Sequence, residues 1–124
     1  MSLRVGDIYL VQNDEIKPRK EKFSICVCVA SLCFVLINSE NRKIYDCTPI
    51  RQRNHNFLTQ DSFISCCKVF YYPAERINPS KFRGRLTLKE LRIVRDKLLA
   101  AELISDVEKE QIRQAINAEL ESED

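Results

Sequence analysis

Several things are missing from this sequence of 124 residues. It has no apolar stretch of membrane-spanning length: a helical span needs ~20 consecutive apolar residues, and the longest run here, residues 23–38, stops short of that. Its first ten residues hold no apolar leader, so no export signal is expected. No Cys-x-x-Cys pair and no internal repeat occurs, so neither a zinc ribbon nor a solenoid is indicated. Histidine occurs once, as His55. A zinc site would have to gather Cys47, His55 and Cys66 or Cys67. Adjacent residues on a strand point to opposite faces, so Cys66 and Cys67 chelate one ion poorly. No metal and no other cofactor is expected.

Six cysteines are present: Cys26, Cys28, Cys33, Cys47, Cys66 and Cys67. Without an export signal they read as reduced thiols of a cytoplasmic protein. Cys26, Cys28 and Cys33 fall inside apolar segments, where cysteine behaves as a small hydrophobe. The size suits a single domain with one core that needs no staple.

The run FSICVCVASLCFVLIN, residues 23–38, organises the rest. It lacks Gly and Pro and is rich in β-branched and aromatic residues, which favours two buried strands, 23–30 and 33–38, folded back on each other. A single buried helix is the rival reading, because periodicity cannot separate the two for a continuous apolar run. Before it, residues 7–12 form a short strand, entered at Gly6, followed by a polar loop, 13–22, with four Lys/Arg among its last six residues. After it come a turn at 38–41, a weak strand at 43–47, and a second basic loop at 48–56. A short extended piece at 57–59 and a strand at 63–71 follow, then a loop running to Arg85. Thr87 with Glu90, and Ser105 with Glu108, are capping boxes that open helices at 88–101 and about 106–120. By composition only the acidic tail, 119–124, reads as disordered. Strands first and helices last predict an α+β fold, mostly β. Five to six short strands (1–85) form a small bent barrel, with a helical extension (86–124).

Charge is unevenly spread. Residues 1–85 carry 14 Lys/Arg against 8 Asp/Glu, and residues 86–124 carry 6 against 10. A basic body with an acidic arm is compatible with a polyanionic ligand, but the charge excess is modest, and charge alone favours an unevenly charged, solvated surface.

The order of these elements carries a resemblance. Gly6-Asp7-Ile8 opens the first strand, a charged loop follows, and Lys22-Phe23-Ser24-Ile25-Cys26 begins the second. The paired strand ends at Ser39, a late strand spans 62–69, and Gly84-Arg85-Leu86-Thr87 approaches a helix. In this arrangement the chain resembles the PemK/MazF-like toxin family, up to about Ala101. The family's Arg-Pro stands here as Lys22-Phe23, and its Asp-Gln-x-Arg-like segment as Ser65-Cys66-Cys67-Lys68. The resemblance implies an SH3-like barrel, usually dimeric, and metal-independent cleavage of single-stranded RNA.

Such chemistry needs a basic group near the 2′-hydroxyl, a proton donor for the leaving 5′-oxygen, and donors for the phosphorane charge. The candidates are Lys22, Ser39 and Lys68, with Thr48 as second choice for the hydroxyl. Arg19, Lys20, Arg51, Arg53 and His55 are the candidate RNA contacts, and Tyr71 and Tyr72 can stack on bases. Each has a plainer reading: a solvated lysine, a turn serine, an outward strand residue, an exposed loop histidine, packed tyrosines. A non-catalytic SH3-like protein- or RNA-binding module is the competing expectation. Uncovered barrel edges and the thin apolar stripe of the second helix suggest a homodimer. The resemblance adds an antitoxin peptide as partner, and the acidic tail is a candidate to occupy the groove in cis.

Overall fold

The computed structural model describes residues 2–122. Seven strands come first: β1 Asp7–Asn13, β2 Lys20–Cys28, β3 Cys33–Asn38, β4 Thr48–Ile50, β5 Ser62–Ile64, β6 Phe70–Tyr71 and β7 Phe82–Arg85. Two helices follow, α1 Leu88–Ala100 and α2 Asp106–Ser122. The sheet order is β4-β5-β3-β2-β1-β7, with β6 also pairing with β3. It curls into a half-barrel, giving the α+β, mostly β architecture expected from the order of the elements. Among the described residues no helix is long and apolar enough to cross a membrane.

The apolar run is a hairpin, not a helix. Ser24, Ile25 and Cys26 lie opposite Leu36, Val35 and Phe34. The turn closes through Leu32 N–H donating to the Val29 carbonyl at 3.0 Å, with Leu32 at φ 53. The run is apolar throughout because both faces are covered, the pattern expected of a doubly buried strand. Ile8, Ile25, Val27, Val35 and Ile37 join Leu91, Val94, Leu98, Ile112 and Ile116 in the main core, between sheet and helices. The alternate residues Tyr9, Val11, Cys26 and Phe34 join Tyr72 and Ile77 in a second cluster. Gly6 turns the chain into β1 at φ 94. A Cβ there would meet only ordinary contacts, the nearest at 3.6 Å from Arg85 Cγ, so the backbone angle, not crowding, favours glycine.

Both capping boxes form. Glu90 N–H donates to Thr87 Oγ1 at 3.1 Å and Thr87 N–H to Glu90 Oε1 at 2.8 Å. The Ser105–Glu108 pair repeats this at 3.2 and 3.0 Å.

Other expectations need correction. Residues 43–45 form a 3-10 turn rather than a strand, because Asp46 takes a left-handed angle of φ 47 that breaks extension. Thr48–Ile50, expected as loop, is a strand, since Thr48 and Ile50 are buried against β5. Residues 57–59 turn rather than extend. Phe82–Arg85, also expected as loop, pairs with β1. The acidic tail continues α2 through Ser122, because Leu120 is buried and Glu119 pairs with Arg4 at 2.6 Å. Glu123 and Asp124 lie outside the described residues.

The correction that matters most concerns the late strand. Ile64 lies opposite Ile37, and Phe70 opposite Phe34. Six steps on one strand therefore span three on the other, and residues 65–69 bulge out between β5 and β6. Bulges of this kind re-aim side chains at sheet rims. Lys68 sits on this bulge, not on a regular strand.

Candidate functional site

Helices cover one face of the hairpin. On the other face, beside the second cluster, Leu36 forms part of the floor of a groove of about 610 Å³. Its walls come from the loop before β2 (Ile16, Lys17) and the first residue of β2 (Lys20), from Asn38 at the end of β3, and from the segment after it (Ser39, Glu40, Arg42, Tyr45). The bulge closes it with Ser65, Cys67, Lys68 and Phe70. Lys22 of β2 lines it as well.

The three candidate catalytic residues, Lys22, Ser39 and Lys68, thus share one groove with Lys20. The half-barrel brings them together although 46 positions separate the first from the last. Five cations line the groove (Lys17, Lys20, Lys22, Arg42, Lys68) against one carboxylate, Glu40. Glu40 is paired with Arg42 at 3.2 Å, and Lys68 with Glu15 at 3.6 Å. Lys68 also lies 4.9 Å from the centroid of the Phe70 ring. Both ion pairs are solvent-exposed, the kind that yields readily to a ligand.

Lys22 is held more firmly. Its ammonium donates to Asn38 Oδ1 at 2.8 Å, and the Asn38 amide N–H donates in turn to Ser65 Oγ. The cause is register. The β2–β3 pairing of Ser24 with Leu36, carried two residues outward, sets Lys22 opposite Asn38. Burial, and after it the charge of Lys20, pull the Lys22 amine below its ordinary value of 10.5. Ser39 is exposed at the groove mouth.

The second basic loop lies elsewhere. Arg51, Arg53 and His55 do not line the groove. They follow β4, at the far end of the sheet order beside α1. Arg51 pairs with Asp61 at 3.4 Å. His55 is not an exposed loop histidine but 5% exposed, and its Nε2 meets Glu90 Oε1 at 2.8 Å. Glu90 therefore caps α1 and ties it to the β4–β5 connection. Thr48 is buried in β4. Arg19 shares the first basic loop with Lys20 but pairs with Asp14 at 3.9 Å outside the groove lining.

Neither tyrosine offers the groove a stacking face. Tyr72 is buried, packs on Phe34 at 5.1 Å between centroids, and hydrogen-bonds Ser24 Oγ at 2.9 Å. Tyr71 donates to Glu108 of α2. The aromatic rings that do line the groove are Tyr45 and Phe70. Asn38 and Ser65 are the residues that sequence reasoning passed over. The signal for Asn38 was there: it shares a face with Leu36 by the two-residue period of a strand. Among the described residues no group of three or more His, Cys, Asp or Glu side chains is placed to hold a metal ion.

No family model matches the chain, and no curated protein matches its sequence.

Proposed function

We propose that the chain binds single-stranded RNA in this groove and cleaves it without a metal, in the manner of a PemK/MazF-like toxin-type endoribonuclease. The observation that carries the reading is the gathering of Lys17, Lys20, Lys22, Arg42 and Lys68 around Ser39 in one open groove. Phosphates are drawn by such a cation cluster, and Tyr45 and Phe70 give bases an apolar neighbour. In the reaction the 2′-oxygen forms a bond to the adjacent phosphorus and the bond to the 5′-oxygen breaks. Lys22 holds the phosphate as the ammonium, and its neutral form, which burial favours, takes the 2′-hydroxyl proton. Lys68 supplies a proton to the 5′-oxygen, and the Ser39 hydroxyl donates to the phosphorane oxygens.

A second reading, an RNA-binding module without cleavage, is favoured by one detail: Lys22 already spends its amine on Asn38. The two separate in a single assay, incubation with a long single-stranded RNA in EDTA beside the Lys22→Ala/Ser39→Ala variant. Cleavage that the variant loses supports the enzyme. Intact RNA with salt-sensitive binding supports the module, and intact RNA without binding refutes both.

A cytoplasmic setting accords with six unpaired thiols. A homodimer accords with the open edges β4 and β7 and with the exposed apolar side chains of Leu103 and Val107. An acidic antitoxin peptide suits the charge of the groove. Occupation of the groove by the tail in cis is not proposed, because Glu119 is engaged with Arg4.

A further inference from the structure

Lysine has a long, flexible stem, and an unheld ammonium occupies many positions. Lys22 is held by a chain of hydrogen bonds whose direction is fixed at both ends. A lysine ammonium can only donate, so Asn38 must turn its oxygen toward it, at 2.8 Å. The amide nitrogen then faces Ser65 Oγ, to which it donates. Having accepted that bond, Ser65 keeps its own proton, with Cys47 Sγ 4.0 Å away. Cys47 donates to the Arg42 carbonyl at 3.6 Å, and a carbonyl can only accept. All links run one way, from a cation on β2, across β3 and the bulge, to the backbone ahead of β4. A flip of the Asn38 amide would set its N–H groups against the ammonium and break the chain.

We infer that Asn38 is a positioning residue: it seats the Lys22 ammonium at the groove floor, ready for a phosphate, and Ser65 fixes which way the Asn38 amide faces. The role rests on the reading of the groove as an RNA site. Asn38 itself need not touch the RNA, so its effect should pass entirely through Lys22.

A double-mutant cycle tests this. The affinity for a labelled single-stranded RNA is measured by fluorescence anisotropy for the native chain, Lys22→Met, Asn38→Leu and the double variant. Each single change is expected to cost a similar loss, roughly fivefold, and the double variant no more than Lys22→Met alone. Additive losses overturn the inference, because Asn38 would then act on the RNA independently. A second readout needs no RNA: the pH titration of the Lys22 ε-carbon followed by NMR. Asn38→Asp, nearly isosteric, sets a carboxylate on the ammonium and should raise the Lys22 midpoint by about one unit or more. An unchanged midpoint overturns the seat itself. If the midpoint moves but Lys22→Met binds RNA as well as the native chain, the reading of the groove fails and the positioning role falls with it.

Discussion

Salt provides the most direct perturbation of the groove. Each phosphate neutralised by a cation releases counterions, so the logarithm of affinity for a single strand falls with the logarithm of salt by about 0.7 per contact. Lys17, Lys20 and Lys22 line the groove without an ion-pair partner among the described residues, whereas Arg42 and Lys68 must first leave Glu40 and Glu15. Three contacts give a slope of about −2.1, and all five give about −3.5. Between about 50 and about 200 mM salt the affinity should therefore fall roughly 20-fold for three contacts and roughly 100-fold for five. Fluorescence anisotropy with a labelled single-stranded RNA reads the slope directly. Lys20→Ala should flatten it by about 0.7, and Arg53→Ala should leave it unchanged, because Arg53 lies outside the groove. A slope near zero, or equal effects of Lys20→Ala and Arg53→Ala, would refute the assignment of the groove as the polyanion site.

The Lys22 amine lies below 10.5 in the folded chain, so its charge is lost as pH rises through that depressed value. Affinity for a strand lacking uracil and guanine should fall across the same window, and Lys22→Arg should remove that part of the fall. The same shift makes the unfolded chain hold more protons in the window, so Lys22's contribution to stability rises with pH there. Thr87→Ala removes one side of a helix cap and should cost about 1 kcal/mol in chemical denaturation. Glu90→Ala also strips buried His55 of its partner and should cost roughly 1–3 kcal/mol more than Thr87→Ala; equal costs would mean the His55 contact contributes nothing. Burial pushes the thiols of Cys26, Cys33 and Cys66 up to about 12, so iodoacetamide at neutral pH should leave them unmodified in the folded chain while labelling half-exposed Cys47. Mass spectrometry of the digested protein reads this directly, and alkylation of Cys26 at the rate of Cys47 would contradict the packing.

Much of the fold could be read from local chemistry. The two capping boxes placed both helix starts, and the β-branched run placed the central hairpin. Misreadings cluster where a few residues take their conformation from distant partners. Residues 43–45 are short enough to go either way, and the left-handed angle at Asp46 decides against a strand. Phe82–Arg85 carries little strand signal and is extended because β1 offers it an edge. His55, correctly placed in a loop, looked exposed because its partner, Glu90, lies 35 positions away on a helix.

The sequence by itself determined that strands precede helices, that the apolar run 23–38 is core, and that the first basic loop is rich in cations. These follow from side-chain pattern and composition, which need no knowledge of distant neighbours. Only the tertiary structure decided which cations meet. The extra residues between Ile64 and Phe70 show up only against the register of β3, and they carry Lys68 and Ser65 to the side where Lys22 and Asn38 face each other. The curl of the sheet leaves Arg51 and Arg53 at its other end. Two basic loops thus part company because strand pairing, not local charge, sets the direction in which a side chain points.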